Sequence, residues 1–125
     1  MDDLTVERVL AVHERILAVD GGDARLLSEP NLHQLVFRAN LVPDVFRRAA
    51  LVLFTLTAYP AFREGNKRTA AVLAAGILGQ EQHRLEPGDA RLWELLAGVT
   101  AFTTEPEDIE AWLRANVPRE KAAPG

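Results

Sequence analysis

The sequence predicts an all-α protein, a compact single-domain bundle of about six helices. Three observations carry that expectation. Apolar residues recur at three- and four-residue spacing along most of the chain. The periodic stretches open on Ser, Thr or Asp and close on Gly or Pro, the usual start and stop signals of helices. No stretch alternates apolar and polar residues as a half-buried strand would, and no internal repeat is present. A chain of 125 residues with 48% hydrophobic content is one domain's worth and can build an ordinary core.

Thr5 can cap a first helix to about Val19, with Leu4, Val9, Val12, Ile16 and Val19 near helical spacing, and Gly21-Gly22 ends it. Ser28-Glu29-Pro30 opens a short second helix with Leu32, Leu35 and Val36 apolar. Pro43 starts a third helix to about Ala58. Its stretch Ala49–Leu56 is apolar nearly all round, which marks a buried central helix. Pro60 stops it, because the residue before a proline avoids the α region. A fourth helix spans about Asn66 to Gln82, and its Ala70, Ala71, Ala74, Ala75 and Gly76 allow close helix packing. Pro87-Gly88-Asp89 caps a fifth helix to about Thr100. Thr104-Glu105-Pro106-Glu107 opens a sixth to about Asn116. A small hairpin between Asp23 and Leu27 is the one strand feature the pattern allows. Residues 1–117 form the domain, and residues 118–125 read as a disordered tail.

The chain contains no cysteine, which excludes a disulfide framework and a thiolate metal site. The start, Met-Asp-Asp-Leu-Thr, lacks a signal-peptide pattern, and apolar runs stop well short of a membrane span. The expectation is a soluble, cytoplasmic protein with no membrane partner. The net charge of −4 is unevenly spread. Residues 38–84 hold seven Arg and Lys against three acids (Asp44, Glu64 and Glu81), a local +4, while both flanks are acidic. A basic block this narrow suits a local anion site better than direct nucleic-acid binding, which calls for a broader basic face. Clustered solvated arginines would give the same count.

The basic block brackets the most informative stretch, Phe62-Arg63-Glu64-Gly65-Asn66-Lys67-Arg68-Thr69-Ala70. A loop that runs into a helix can hold a phosphate, because the first backbone N–H groups and the positive end of the helix dipole point at it. Gly65 permits close approach or a positive φ. Asn66 can join Gly65 in a backbone cradle or cap the helix. Lys67 supplies a point charge, and Arg68 a planar fork that can take a phosphate or pair with Glu64. Glu64 is the candidate ligand for a divalent metal that bridges phosphates; a solvated surface carboxylate is the plain alternative. Phe62 anchors the loop in the core.

This stretch resembles the signature of the Fic/Doc (Fido-fold) family, most closely its Doc, or death-on-curing, branch. The signature reads His-x-Phe-x-(Asp/Glu)-(Gly/Ala)-Asn-Lys-Arg-Thr-Ala. Every defined position from Phe62 to Ala70 matches, but Pro60 stands where the family has its His. Softer similarity covers about residues 4–116: His13-x-x-Ile16 before Gly21-Gly22, then Leu26-Leu27, then Leu32 to Val36. The resemblance implies a Fido fold with a small flap near residues 23–31, beside the site. It implies Mg²⁺ and ATP as cofactors, bound through Glu64, Gly65, Asn66, Lys67 and Arg68. It implies transfer of AMP or, in the Doc branch marked by Lys67, of phosphate to a hydroxyl on a protein such as a translation factor, in a toxin–antitoxin setting. Family members are restrained by a helix bearing (Ser/Thr)-x-x-x-Glu-(Gly/Asn). Thr103 to Asp108 comes closest here but ends in Asp108, so restraint is expected from an antitoxin protein.

The missing His leaves the reaction without its usual base. Proline has neither a basic side chain nor an N–H. Tyr59 is adjacent, but a phenol of pKa ~10 is a poor base at neutral pH. His33, just after the expected flap, is the best-placed substitute. His13 reads as a packing residue and His83 as a surface residue at the end of the fourth helix. Three functions follow from the sequence: a toxin-type transferase with impaired catalysis, an inactive nucleotide- or partner-binding pseudoenzyme, and a helical interaction module in which the motif is only a structural loop.

Overall fold

The computed structural model describes residues 2–119. Six helices follow in order: α1 (Val6–Asp20), α2 (Glu29–Asn40), α3 (Val45–Ala58), α4 (Asn66–Gly79), α5 (Ala90–Thr100) and α6 (Pro106–Asn116). Among the described residues there is no strand beyond two isolated bridges. The fold is therefore the all-α bundle that the apolar periodicity predicts.

Helix α3 is the axis of the bundle. It packs against α2, α4, α5 and α6, while α1 lies mainly on α4. Its Ala49, Ala50, Val52, Leu53 and Leu56 are all buried, as the nearly continuous apolar run requires. Ala70, Ala71 and Ala74 of α4 are fully buried, and small side chains there let the two helices approach closely. Arg48 is a buried charge on α3. It donates to the Val42 carbonyl (2.8 Å) and the Asp2 carbonyl (3.3 Å), which ties the start of the chain to the central helix.

Local signals set most boundaries. Thr5, Ser28, Asp44 and Asp89 each accept a backbone N–H from the first turn of α1, α2, α3 and α5. Asp108 closes the start of α6 by accepting the Glu105 N–H (2.9 Å). Two expectations need correction. Helix α4 ends at Gly79, not near Gln82. The chain then makes a turn in which Gln82 takes φ 61° and His83 N–H returns to the Leu78 carbonyl (3.0 Å). That turn lets Leu85 enter the core.

The hairpin at Asp23–Leu27 does not form. That segment pairs instead with the loop after α3, through an antiparallel bridge between Leu26 and Phe62. The flap expected at 23–31 thus divides into an extended piece lying on the loop and the first turn of α2. The expected tail falls, from residue 120 onward, outside the described residues; Arg119 bridges to His83. Among the described residues, no helix is long and apolar enough to cross a membrane.

Candidate functional site

The loop from Tyr59 to Gly65 joins the two most closely packed helices, so its shape is held from several sides. Tyr59 caps the C-terminus of α3 and is exposed. The Pro60 carbonyl accepts from Asn31 Nδ2 (3.1 Å) at the start of α2. The Ala61 carbonyl accepts from Leu27 N–H (2.7 Å) and Ser28 N–H (3.0 Å), and Arg63 N–H donates to the Arg25 carbonyl (3.1 Å). Asn66 closes the loop from inside. Its Oδ1 accepts from the N–H groups of Ala61 (3.1 Å) and Phe62 (3.0 Å), and its Nδ2 donates to the Phe62 carbonyl (2.7 Å). Asn66 is thus not the helix cap. It is the first helical residue, and its side chain turns back to bind the loop.

His13 supports the loop from below, a role the sequence reading missed. Its ring is buried and stacked on Phe62, with centroids 3.6 Å apart and planes 9° from parallel. Its Nε2 lies 2.8 Å from the Glu64 carbonyl. A carbonyl only accepts, so Nε2 carries the proton. The only local hint was an apolar helix face carrying an imidazole, and the partner lies 51 residues away.

Gly65 is the N-cap of α4, with φ 83° and no side-chain hydrogen bond to the helix. A Cβ there would meet Leu17 Cδ2 at 3.1 Å, so the position suits glycine in both conformation and space. The first-turn N–H groups of Asn66, Lys67 and Arg68 have no intrahelical partner, and no acid stands in that turn. Lys67 is half-buried and, among the described residues, makes no hydrogen bond or ion pair. This helix start is open, and it carries two cations where the dipole already supplies positive potential.

Around the opening, charges are paired in a way the sequence did not foretell. Arg68 Nη1 binds Asp20 Oδ2 at 2.7 Å, not Glu64. The Glu64 carboxylate accepts the backbone N–H of Asp23. Arg25 grips Asp23 through Nε (3.0 Å) and Nη2 (2.6 Å). That side-chain hydrogen bond, then the Arg25 backbone N–H, lowers the Asp23 carboxyl to about 2.

The other histidines stand elsewhere. His33 is exposed on α2, with Nε2 3.4 Å from Glu29 Oε1, and makes no hydrogen bond, ion pair or ring contact with the loop. His83 is half-buried rather than fully exposed; its ring tilts against Phe46 (centroids 4.5 Å) and its Nδ1 is buried. No group of three or more His, Cys, Asp or Glu residues that could hold a metal occurs among the described residues. A magnesium ion here would have one carboxylate, Glu64, to hold it and would take its other ligands from solvent or a bound anion.

The model of the Fic/DOC family matches residues 3–78, from the start of the chain through α4, including the whole loop. The chain therefore belongs to the Fic/DOC family. No curated protein matches it.

Proposed function

We propose that this Fic/DOC domain is Doc-like, binds the phosphates of a nucleotide at the start of α4, and is impaired in transferring phosphate or AMP to a protein hydroxyl. The observation that carries the reading is the uncapped, cationic first turn of α4, set behind a loop braced by Asn66 and His13. Free N–H groups aimed at an anion, with Lys67 beside them, offset phosphate charge without further rearrangement. Glu64 projects from the same loop and would hold Mg²⁺ against the phosphates. When bound, ATP with Mg²⁺ supplies the group to be transferred. A protein substrate such as a translation factor, and an antitoxin partner, follow from the likeness of Lys67 to the Doc branch.

The impairment follows from what surrounds Pro60. It brings no base to the loop. The imidazole bonded to the loop, His13, already donates its Nε2 proton to the Glu64 carbonyl and is buried beneath the loop. His33 faces solvent beside Glu29. An attacking hydroxyl therefore keeps its proton longer, and loss of a general base costs ~10²–10⁴ in rate. A binding protein without chemistry is the second reading, and the same Pro60 favours it.

The test is label transfer from ATP to lysate proteins with Mg²⁺, for this chain and Pro60→His side by side. The label is placed on the α phosphate in one reaction and the γ phosphate in another. Weak labelling by the chain and strong labelling by Pro60→His is the expected result, and the labelled position tells AMP from phosphate. Labelling only by Pro60→His makes the protein a binder. Equally strong labelling by both refutes the impairment. No labelling by either, with no ATP binding, refutes the reading.

A further inference from the structure

We infer that the Asp20–Asp23 turn is an internal occupant of the anion site, holding Arg68 and Glu64 until a metal-bound polyphosphate displaces it. The inference rests on the reading that the start of α4 takes phosphate, and it adds a regulation of that site.

One four-residue segment touches both groups. Asp20 gives a carboxylate to Arg68 at 2.7 Å, and Asp23 gives a backbone N–H to the Glu64 carboxylate. An anionic oxygen on Arg68 and a positive donor on Glu64 are what a phosphate oxygen and a metal ion would supply in turn. The segment thus copies the charge pattern of the ligand at both positions.

The placement of Asp20 runs against local stability. It is the last residue of α1, at the negative end of that helix dipole, and the last turn holds no basic residue. Arg68 stands in the first turn of α4, at the positive end. Each charge is unfavourable where it sits, and their pairing offsets both. The Arg68 and Asp20 side chains are still 36% and 44% exposed, so the bond is open to exchange with a solute anion. Lys67, without a partner, is left to meet an incoming phosphate first.

The backbone permits the exchange. Gly21 and Gly22 lie between the two contacts at φ 76° and 120°. A Cβ on Gly22 would stand 2.7 Å from Glu64 Oε2, so glycine is what lets the turn close on the carboxylate. Rotation at these two residues can release Asp23 from Glu64 without disturbing α1, while Asp20, the last residue of that helix, leaves Arg68 by turning its half-exposed side chain.

The test is calorimetric titration of inorganic pyrophosphate, and separately of ATP with Mg²⁺, into the full chain, Asp20→Asn, Lys67→Ala, Arg68→Ala and the Asp20→Asn/Arg68→Ala double variant. Asp20→Ser repeats the first comparison should the asparagine form misfold. Removing Asp20 is expected to tighten pyrophosphate binding about two- to fivefold, the scale of freeing one exposed ion pair. In the Arg68→Ala background the same change should gain nothing. Equal affinity of the full chain and Asp20→Asn, with weakened Lys67→Ala, overturns the inference and leaves the anion site standing. A gain that persists without Arg68 also overturns it, since it then reflects general charge. Absence of binding by every protein overturns the inference and the anion site together.

Discussion

Helices α3 and α4 lie against each other through the core, yet they begin in opposite ways. The start of α3 is closed. Asp44 accepts the Arg47 N–H at 2.9 Å and pairs with Arg114 of α6 at 2.8 Å. The Arg47 backbone N–H first, and Arg114 after it, hold the Asp44 carboxyl below the usual carboxylate range. The start of α4 has a glycine cap, no acid and two cations. One end is satisfied by its own chain. The other leaves donors and charge for something else, and its neighbours compensate by bracing the loop rather than by capping the helix.

The contrast can be broken most severely at Asn66. Asn66→Ala removes the acceptor of two buried N–H groups and a donor to Phe62, and should cost about 3 kcal/mol. The urea midpoint measures it; a cost under about 1 kcal/mol would mean the loop is held by other contacts. Gly65→Ala comes next. Its positive φ and the nearness of Leu17 should cost about 1–2 kcal/mol in the same assay.

Asp44→Ala tests the closed end and should cost about 1 kcal/mol at neutral pH. The sign with pH is fixed. A carboxyl whose folded value is depressed contributes stability above the unfolded value, and loses it as pH falls through the folded value. Thermal melts of the two proteins should therefore differ at pH 7 and converge in strong acid, below the carboxylate range. The smallest effect is the most telling. Lys67→Ala should stabilise the fold by about 0.3–0.5 kcal/mol, because it removes a cation from a positive helix end, while weakening pyrophosphate binding. Destabilisation by Lys67→Ala would show that α4 gains from its lysine and is not held open at a cost.

What could be read from the sequence was whatever is encoded within a few residues. Thr5, Ser28, Asp44 and Asp89 act on backbone groups two or three positions ahead, so their helices were placed closely. Phe62 to Ala70 marked a candidate site because loop and helix start are contiguous. The end of α4 was misjudged because nothing local announces that Gln82 will take a left-handed turn. His13 was read as a packing residue, and it is buried, but its bond to the loop and those of Asp20 and Asp23 went unnoticed for a different reason. Their partners lie 41 to 51 residues away, and only the packing of α1 on α4 brings them together. Asp20 did leave a trace, an acid at the wrong end of a helix, which is readable once such misplacement is taken as a sign of a distant cation.

The contact between His13 and the Glu64 carbonyl also makes the loop observable. A buried imidazole N–H bonded to a carbonyl exchanges slowly with water and gives its own proton resonance, apart from the amide envelope. With three histidines in the chain and only this one bonded to the loop, that single line reports whether the loop is seated. A ligand that merely docks would leave it in place. One that lifts Glu64 would shift it, or expose it to solvent and erase it, without any enzymatic assay at all.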